Sequence, residues 1–171
     1  MVDAGRKPVA EETIRPDDVT TVPWDEAARR LADASTFWLA TTGPKGDPHV
    51  RPILAVWVDG ALHFVSSTSA QKWRNLERRP FCSASASAND LDLVVEGNAV
   101  RVTDDARLQR VAQAYDSKYQ WPIEIRDGAF YAEGAPTAGP PPFHVYELQP
   151  TSVFGFGTDE AFADRSTRWR F

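Results

Sequence analysis

The sequence predicts a mainly β protein of the α+β kind. It reads as a closed or partly closed antiparallel barrel of six or seven strands with about three peripheral helices. Three observations carry that reading. Short apolar runs separated by turn residues dominate the chain, with no strand–helix alternation of the kind a doubly wound parallel sheet needs. Asp59-Gly60 lies between two apolar runs, and both residues tolerate the positive φ of a tight type I′ hairpin turn. Phe81–Ala88, FCSASASA, alternates at period two, as a half-buried strand does.

Taken in order, residues 1–20 are polar and rich in Pro, Asp and Glu, which predicts a mobile N-terminal arm ahead of one domain over 21–171. Trp24, Ala27, Ala28 and Leu31 recur at helical spacing after Pro23, which predicts a short amphipathic helix over 24–34. FWLATT at 37–42 is a strand, and Gly43 to Pro48 is a loop. The hairpin strands run over about 49–58 and 61–67. Pro52 cannot donate a ladder hydrogen bond, so it belongs on an edge or at a bulge. Such an irregularity beside Arg51 would leave backbone groups free for a ligand; a plain edge strand is the equal alternative. A basic helix follows over about 69–79, stopped by Pro80, with Thr68-Ser69-Ala70-Gln71 at capping-box spacing. Small side chains on both faces of 81–88 permit close approach of a ring or a second subunit. A strand over 92–103 carries Gly97 as an expected bulge. Leu108, Val111, Ala112, Tyr115 and Tyr119 predict a helix over 104–120. Residues 121–142 show no period and much Pro and Gly, which predicts a lid or binding loop. Two strands, 143–149 and 152–157, are expected on either side of Pro150. A tail ending TRWRF is expected to dock somewhere.

Composition bounds the function. A chain of 171 residues with 42% apolar content is long enough to bury a core. A net charge of −5 argues against a nucleic-acid coat. The longest apolar run, Ile53 to Val58, is too short to span a bilayer, and no apolar leader is evident at the N-terminus, so no membrane association and a cytoplasmic location are expected. Cys82 is the single cysteine, expected as a buried inert thiol. His49, His63 and His144 have no partner at metal-ligand spacing and read as structural, so no metal is expected. There is no Walker loop, dinucleotide-binding glycine fingerprint, HExxH or nucleophile elbow.

A chain without a catalytic constellation points to chemistry borrowed from a cofactor. The parts lie between His49 and Pro80. Ser66, Ser67, Thr68 and Ser69 run into a helix start with Lys72 in its first turn, which suits a phosphate. A flat ring could lie along Arg51–Val56, with room left by the small residues of 81–88.

The order and spacing of four segments carry a resemblance: ATTGPKGDPHVRPI, DGALHFVSS, the S-x-x-K-x-x-N-L-x-x-x-P element from Ser69 to Pro80, and VVEGNAVRV. Together they resemble the pyridoxamine 5′-phosphate oxidase-like flavin and deazaflavin split-barrel superfamily. GFGTDEAF and TRWRF look like the subgroup that uses the deazaflavin F420, the F420-dependent oxidoreductase B group. The resemblance implies a six-stranded split barrel that dimerises, with cofactor sites at the subunit interface. It implies that Arg51, Pro52, Ile53, Leu54 and Val56 border the ring, and that Ser66, Ser67, Thr68, Gln71, Lys72 and Asn75 surround the phosphate. Trp169 and Arg170 would close the site. One departure stands: the oxidase itself usually has Arg-Lys where this chain has Gln71-Lys72, and its C-terminal substrate-binding pattern is not found here. That argues against pyridoxamine phosphate oxidation.

The expected function is hydride transfer between F420 and an electron-poor small molecule such as an enone, a quinone or a tetrapyrrole. FMN on the same scaffold is the alternative cofactor. Arg74, Arg78 and Arg79 favour F420, whose oligoglutamate tail needs basic surface. A carrier of F420, FMN or haem without turnover is the alternative from another class. Catalytic side chains are not assigned, although Tyr131 or solvent could supply a proton.

Overall fold

The side chains of FWLATT are buried and exposed in alternation, and the same rule builds most of the sheet. A computed structural model describes residues 6–134 and 138–171. Its elements are β1 (Ala10–Thr13), α1 (Trp24–Asp33), β2 (Phe37–Thr42), β3 (Pro48–Ile53), β4 (Ala55–Val58), β5 (Ala61–Ser67), α2 (Gln71–Arg78), β6 (Phe81–Ala88), β7 (Leu91–Arg101), α3 (Asp105–Tyr119), β8 (Glu124–Arg126), β9 (Ala129–Tyr131), β10 (Phe143–Gly157) and β11 (Thr167–Arg170).

The pairings close a ring. β2 pairs with β3, and the chain breaks at Leu54 and continues as β4, which pairs with β5. β5 pairs with β10, β10 with β7, β7 with β6, and β6 returns to β2. Counting β3 and β4 as one interrupted strand, this is a six-stranded antiparallel barrel, and it is split: β3 pairs with β2 but not with β5. Pro52 therefore sits on an edge, where its missing N–H costs nothing. Asp59 and Gly60 have φ of 52° and 73°, the positive values their hairpin turn requires.

Side chains inside the ring and under α1 form one core, with Phe37, Leu39, Phe64, Leu91, Leu93, Trp24 and Trp169 among them. α3 covers a second cluster with Leu108, Val111, Tyr115, Trp121, Phe130 and Phe143. α3 begins at Asp104, whose carboxylate accepts from the Arg107 N–H, and stops at Gln120 in a left-handed conformation two residues before Pro122. Cys82 is buried, and burial pushes its thiol up to about 12, so it is inert as expected.

Several expectations are corrected. The N-terminal arm is not free throughout: residues 10–13 pair with 167–170, with Glu12 ion-paired to Arg170; residues 1–5 of the expected arm lie outside the described residues. α2 is capped at Ala70 with no side-chain bond, so the capping box is not formed; Ser67 Oγ turns to Ser69 Oγ and to the Pro140 carbonyl instead. The bulge lies not in β7 but opposite it, between Pro150 and Ser152 of β10. β10 therefore runs unbroken through Pro150, and Gly97 is needed because the Gln149 carbonyl occupies the space a Cβ would take. Residues 121–142 are not wholly irregular. They hold the β8–β9 hairpin, turned at Asp127-Gly128 with φ of 50° and 70°, and Phe130 pairs with Phe143. Residues 135–137 of the expected lid lie outside the described residues.

Candidate functional site

The split in the barrel is where a site forms. A cavity of about 440 Å³ opens between β3 and β5, walled by Pro52, Ile53 and Leu54 on one side and Val65 on the other. Lys72 of α2 stands at it, and the chain from Tyr119 to Pro122 with Glu133, Gly134 and Ala138 closes it. Four of the expected site residues, Pro52, Ile53, Leu54 and Lys72, thus meet the expected lid.

The wall is held rigid by α3. At the break after β3, the Tyr115 hydroxyl donates to the Leu54 carbonyl at 2.9 Å. The Tyr119 hydroxyl lies 2.9 Å from the carbonyls of both Ala55 and Ser35 and accepts from the Ala55 N–H at 3.3 Å. Lys118 Nζ donates to the carbonyls of Ala32, Ala34 and Ala55 at 2.9, 2.6 and 3.2 Å. The carbonyls that the irregularity frees at Leu54 and Ala55 are therefore taken by this helix rather than offered to a ligand. What stays unpaired is the edge of β3 itself.

The cations of the site are unpaired among the described residues, although Glu133 also lines the cavity. Arg51 is exposed on β3, its guanidinium donating to the Val50 carbonyl at 2.7 Å. Among the described residues, neither Arg51 nor Lys72 has a carboxylate within ion-pair distance. Partial burial, with the Arg51 charge behind it, holds the Lys72 ammonium below its ordinary range. An anion arriving here would relieve both effects. The hydroxyls are less available. Ser66 is buried and donates to the Ser67 carbonyl at 3.3 Å. Ser67 Oγ donates to the Pro140 carbonyl at 2.6 Å, and the Thr68 N–H meets the Pro142 carbonyl. The far leg of the lid thus covers the hydroxyl-rich bend.

Other expected site residues have different surroundings. Gln71 donates to Asn75 Oδ1 at 2.8 Å, and buried Asn75 donates to Thr41 Oγ1 at 3.0 Å, a chain that staples α2 to β2. Val56 is buried and faces a separate cavity with Ala32, Trp57 and Lys118; Val65 takes the place expected for it. Trp169 is fully buried, its ring 5.7 Å from that of Trp24 and packed on Gly155, and Arg170 pairs with Glu12. Within one chain neither reaches the Lys72 cavity. Tyr119, Gln120 and Trp121 line the candidate cavity although periodicity assigns them to helix core or helix end; the Trp121-Pro122 break was their only signal. Tyr131 lines a second cavity on the β8–β9 hairpin, beneath the Arg126 guanidinium at 3.9 Å. Among the described residues no three His, Cys, Asp or Glu side chains gather as metal ligands do, and no helix is long and apolar enough to cross a membrane.

The family profile described as pyridoxamine 5′-phosphate oxidase matches residues 23–156, most of the chain and the whole of the barrel ring but its last residue. The chain belongs to this family. Solved structures agree on the fold of this family member. The conserved hypothetical protein Rv2991 of Mycobacterium tuberculosis is 24% identical with a TM-score of 0.66, over 85% of this chain and 90% of that one. A haem-binding protein of Mycobacterium smegmatis is 22% identical with a TM-score of 0.60, over 85% of this chain and 56% of that one. An F420 reductase is 24% identical with a TM-score of 0.53, over 73% and 93%. No curated protein sequence matches the chain.

Proposed function

We propose that this family member is an oxidoreductase that borrows its chemistry from a deazaflavin, F420, with FMN as the close alternative, and reduces an electron-poor small molecule. The observation that carries the reading is the cavity at the barrel split, apolar along Pro52–Leu54, Val65 and Trp121 and cationic at Lys72, with no carboxylate paired to that cation among the described residues. A tricyclic ring suits the apolar wall, and a phosphate suits Lys72 and Arg51. The cavity lining contains no His, Cys or Met, which are the ordinary axial ligands of haem, so the haem carrier fits less well. Arg74, Arg78 and Arg79 are exposed on and just after α2 and extend the basic surface an oligoglutamate tail would follow, which supports F420 over FMN.

When bound and reduced, the deazaflavin supplies a hydride. The chain's own part is to hold and to exclude. Lys72 and Arg51 bind the anionic arm and fix its register along β3. The Tyr115 and Tyr119 hydroxyls keep the Leu54–Ala55 break in place, so the wall does not yield. Trp121 and the lid keep water off the ring face. The same cations stabilise negative charge that develops on an acceptor beside them. The working form is a homodimer joined through the outer face of β2, β6, β7 and β10, where Trp38, Phe81 and Phe156 stand exposed among serines and alanine.

Titration of F420 and FMN against tryptophan fluorescence tests this, since Trp121 lines the cavity. Lys72→Met should weaken binding about tenfold or more, one lost charge contact of about 1.4 kcal/mol. Failure of both ligands to bind overturns the cofactor reading, and Lys72→Met binding both as well as the parent overturns the site. Oxidation of the reduced cofactor by a panel of enones and quinones then tests turnover; bound cofactor that none of them oxidises would favour a carrier.

A further inference from the structure

His49 is absorbed by none of the contacts described above. It is the second residue of β3, two before Arg51, so the two share one face of that strand. Their partners across the ladder are Thr41 and Leu39 of β2, both buried, so that face turns inward at the open edge of the split, where His49 is half-buried and Arg51 exposed. Thr41 Oγ1 sits between His49 and α2: it donates to the His49 carbonyl at 3.4 Å and accepts from Asn75 Nδ2 at 3.0 Å. Asn75 lies three residues beyond Lys72, on the same side of α2. One buried network thus holds the Lys72 turn over the end of β3 that carries His49 and Arg51. His49 Nδ1 is buried and has no hydrogen-bond partner among the described residues.

The geometry points to His49 as a third member of the anion site with Arg51 and Lys72, so that capturing a dianion there takes up a proton. This rests on the reading of that site given under the proposed function. The charged groups facing the imidazole are Arg51 on its own strand, Lys72 from α2 and Asp47 from the preceding turn. Without an anion, burial and then the Arg51 charge, with a smaller push from Lys72, hold the imidazole below its ordinary range, against the opposing pull of its own backbone and of Asp47. An anion between the cations reverses the balance and favours imidazolium. By linkage, anion affinity must then rise as the pH falls through the ordinary histidine range.

Inorganic sulfate is the probe, because it stays a dianion across the whole range and contributes no titration of its own. Its dissociation constant is measured by tryptophan fluorescence between pH 5.5 and 8.5 for the parent, His49→Gln, His49→Arg and Lys72→Met. The parent should weaken about tenfold as the pH rises, the effect of a one-unit change in the imidazole's pKa on binding. His49→Gln should bind weakly with less than about twofold change, and His49→Arg should bind tightly at every pH. Lys72→Met should lose affinity throughout yet keep the slope. A flat parent curve, a slope retained in His49→Gln, a slope retained in His49→Arg, or no sulfate binding at any pH each overturns the assignment. If sulfate shows the slope while F420 and FMN do not bind, the cofactor reading falls and His49 stands.

Discussion

Trp169 shows how one residue type in one place supports two opposite roles. A terminal tryptophan on a polar tail reads as a lid over a cofactor, yet its ring fills the barrel end against Trp24 and the flat of Gly155. Trp169→Ala should therefore cost about 3–5 kcal/mol of stability, as large core truncations do, and leave the affinity of still-folded protein for F420 or FMN unchanged. Urea melts and a binding titration well below the melting temperature read the two separately; a large loss of affinity with little loss of stability would return Trp169 to the site. His63 makes a second prediction at this scale. It is fully buried, its ring nitrogen Nδ1 is 3.2 Å from the Ala61 carbonyl, and burial holds it down to about 4. Glu147 lies 3.7 Å away, but its carboxylate is already engaged by Arg107, so burial wins. The unfolded chain takes up this proton near 6.5 and the folded chain near 4, so the unfolded state binds more protons between those values. Stability is then complete above about pH 7 and should fall by about 2 kcal/mol by pH 5. His63→Gln should flatten that stretch of the stability curve, and an unchanged slope in the variant would assign the loss elsewhere.

At the scale of elements, the break between β3 and β4 depends on α3. Tyr115→Phe removes one hydroxyl without changing shape, and leaves the Leu54 carbonyl unmet at a half-buried wall. A cost of about 1–3 kcal/mol is expected, together with faster amide exchange at Leu54 and Ala55. A variant as stable and as protected as the parent would show that the packing of α3, not its hydroxyl, holds the break. The same element marks the limit of what the sequence tells. That Pro52 lies on an edge was legible, because proline's missing N–H is a local fact. That Tyr115 and Tyr119 would point their hydroxyls at this edge was not: helical periodicity says which residues face inward, and says nothing of which distant carbonyl they meet. The barrel strands and the three helices were legible for the same local reason, whereas β1 and β11, which find each other only in space, were not. Where neighbours in space decide, the reading slipped. Pro150 looked like a boundary because the bulge that accommodates it depends on Gly97, some fifty residues earlier in the chain. The β8–β9 hairpin was missed although Asp127-Gly128 repeats the signal of Asp59-Gly60, since its flanking strands are three residues each and show no period. Pro52–Leu54 and Lys72 line one cavity, a closeness legible in the sequence because a strand and the helix soon after it are near one another along the chain. The serines were not free as expected, because the lid that covers them returns from seventy residues away.

For the whole molecule, the question is what the bare outside of the barrel is for. α3 covers one cluster and α1 closes one end, and α1 and α2 also meet β6 and β2, yet rings on the outer side of β2, β6 and β10 stay exposed among the described residues. Trp38 is 51% exposed there, Phe81 50% and Phe156 41%. Trp38 stands between Pro52 of β3 and Ser85 of β6, and Ser83, Ser85 and Ala40 beside it are small enough to leave the sheet flat. Apolar rings exposed together on a sheet suit the proposed dimer interface. Pro52 faces outward with Trp38 and also walls the Lys72 cavity, so a second copy seated on this face would border the cofactor site. Trp38→Arg places a charge at the centre of that face, where two copies related by a twofold axis would bring two such charges together. The expected result is a change from dimer to monomer in sedimentation velocity, with an unaltered circular dichroism spectrum and weaker binding of F420 or FMN. A parent that sediments as a monomer, or a variant that stays dimeric, rejects this face as the interface. A monomeric variant that binds with full affinity would leave the dimer in place but confine the site to a single chain.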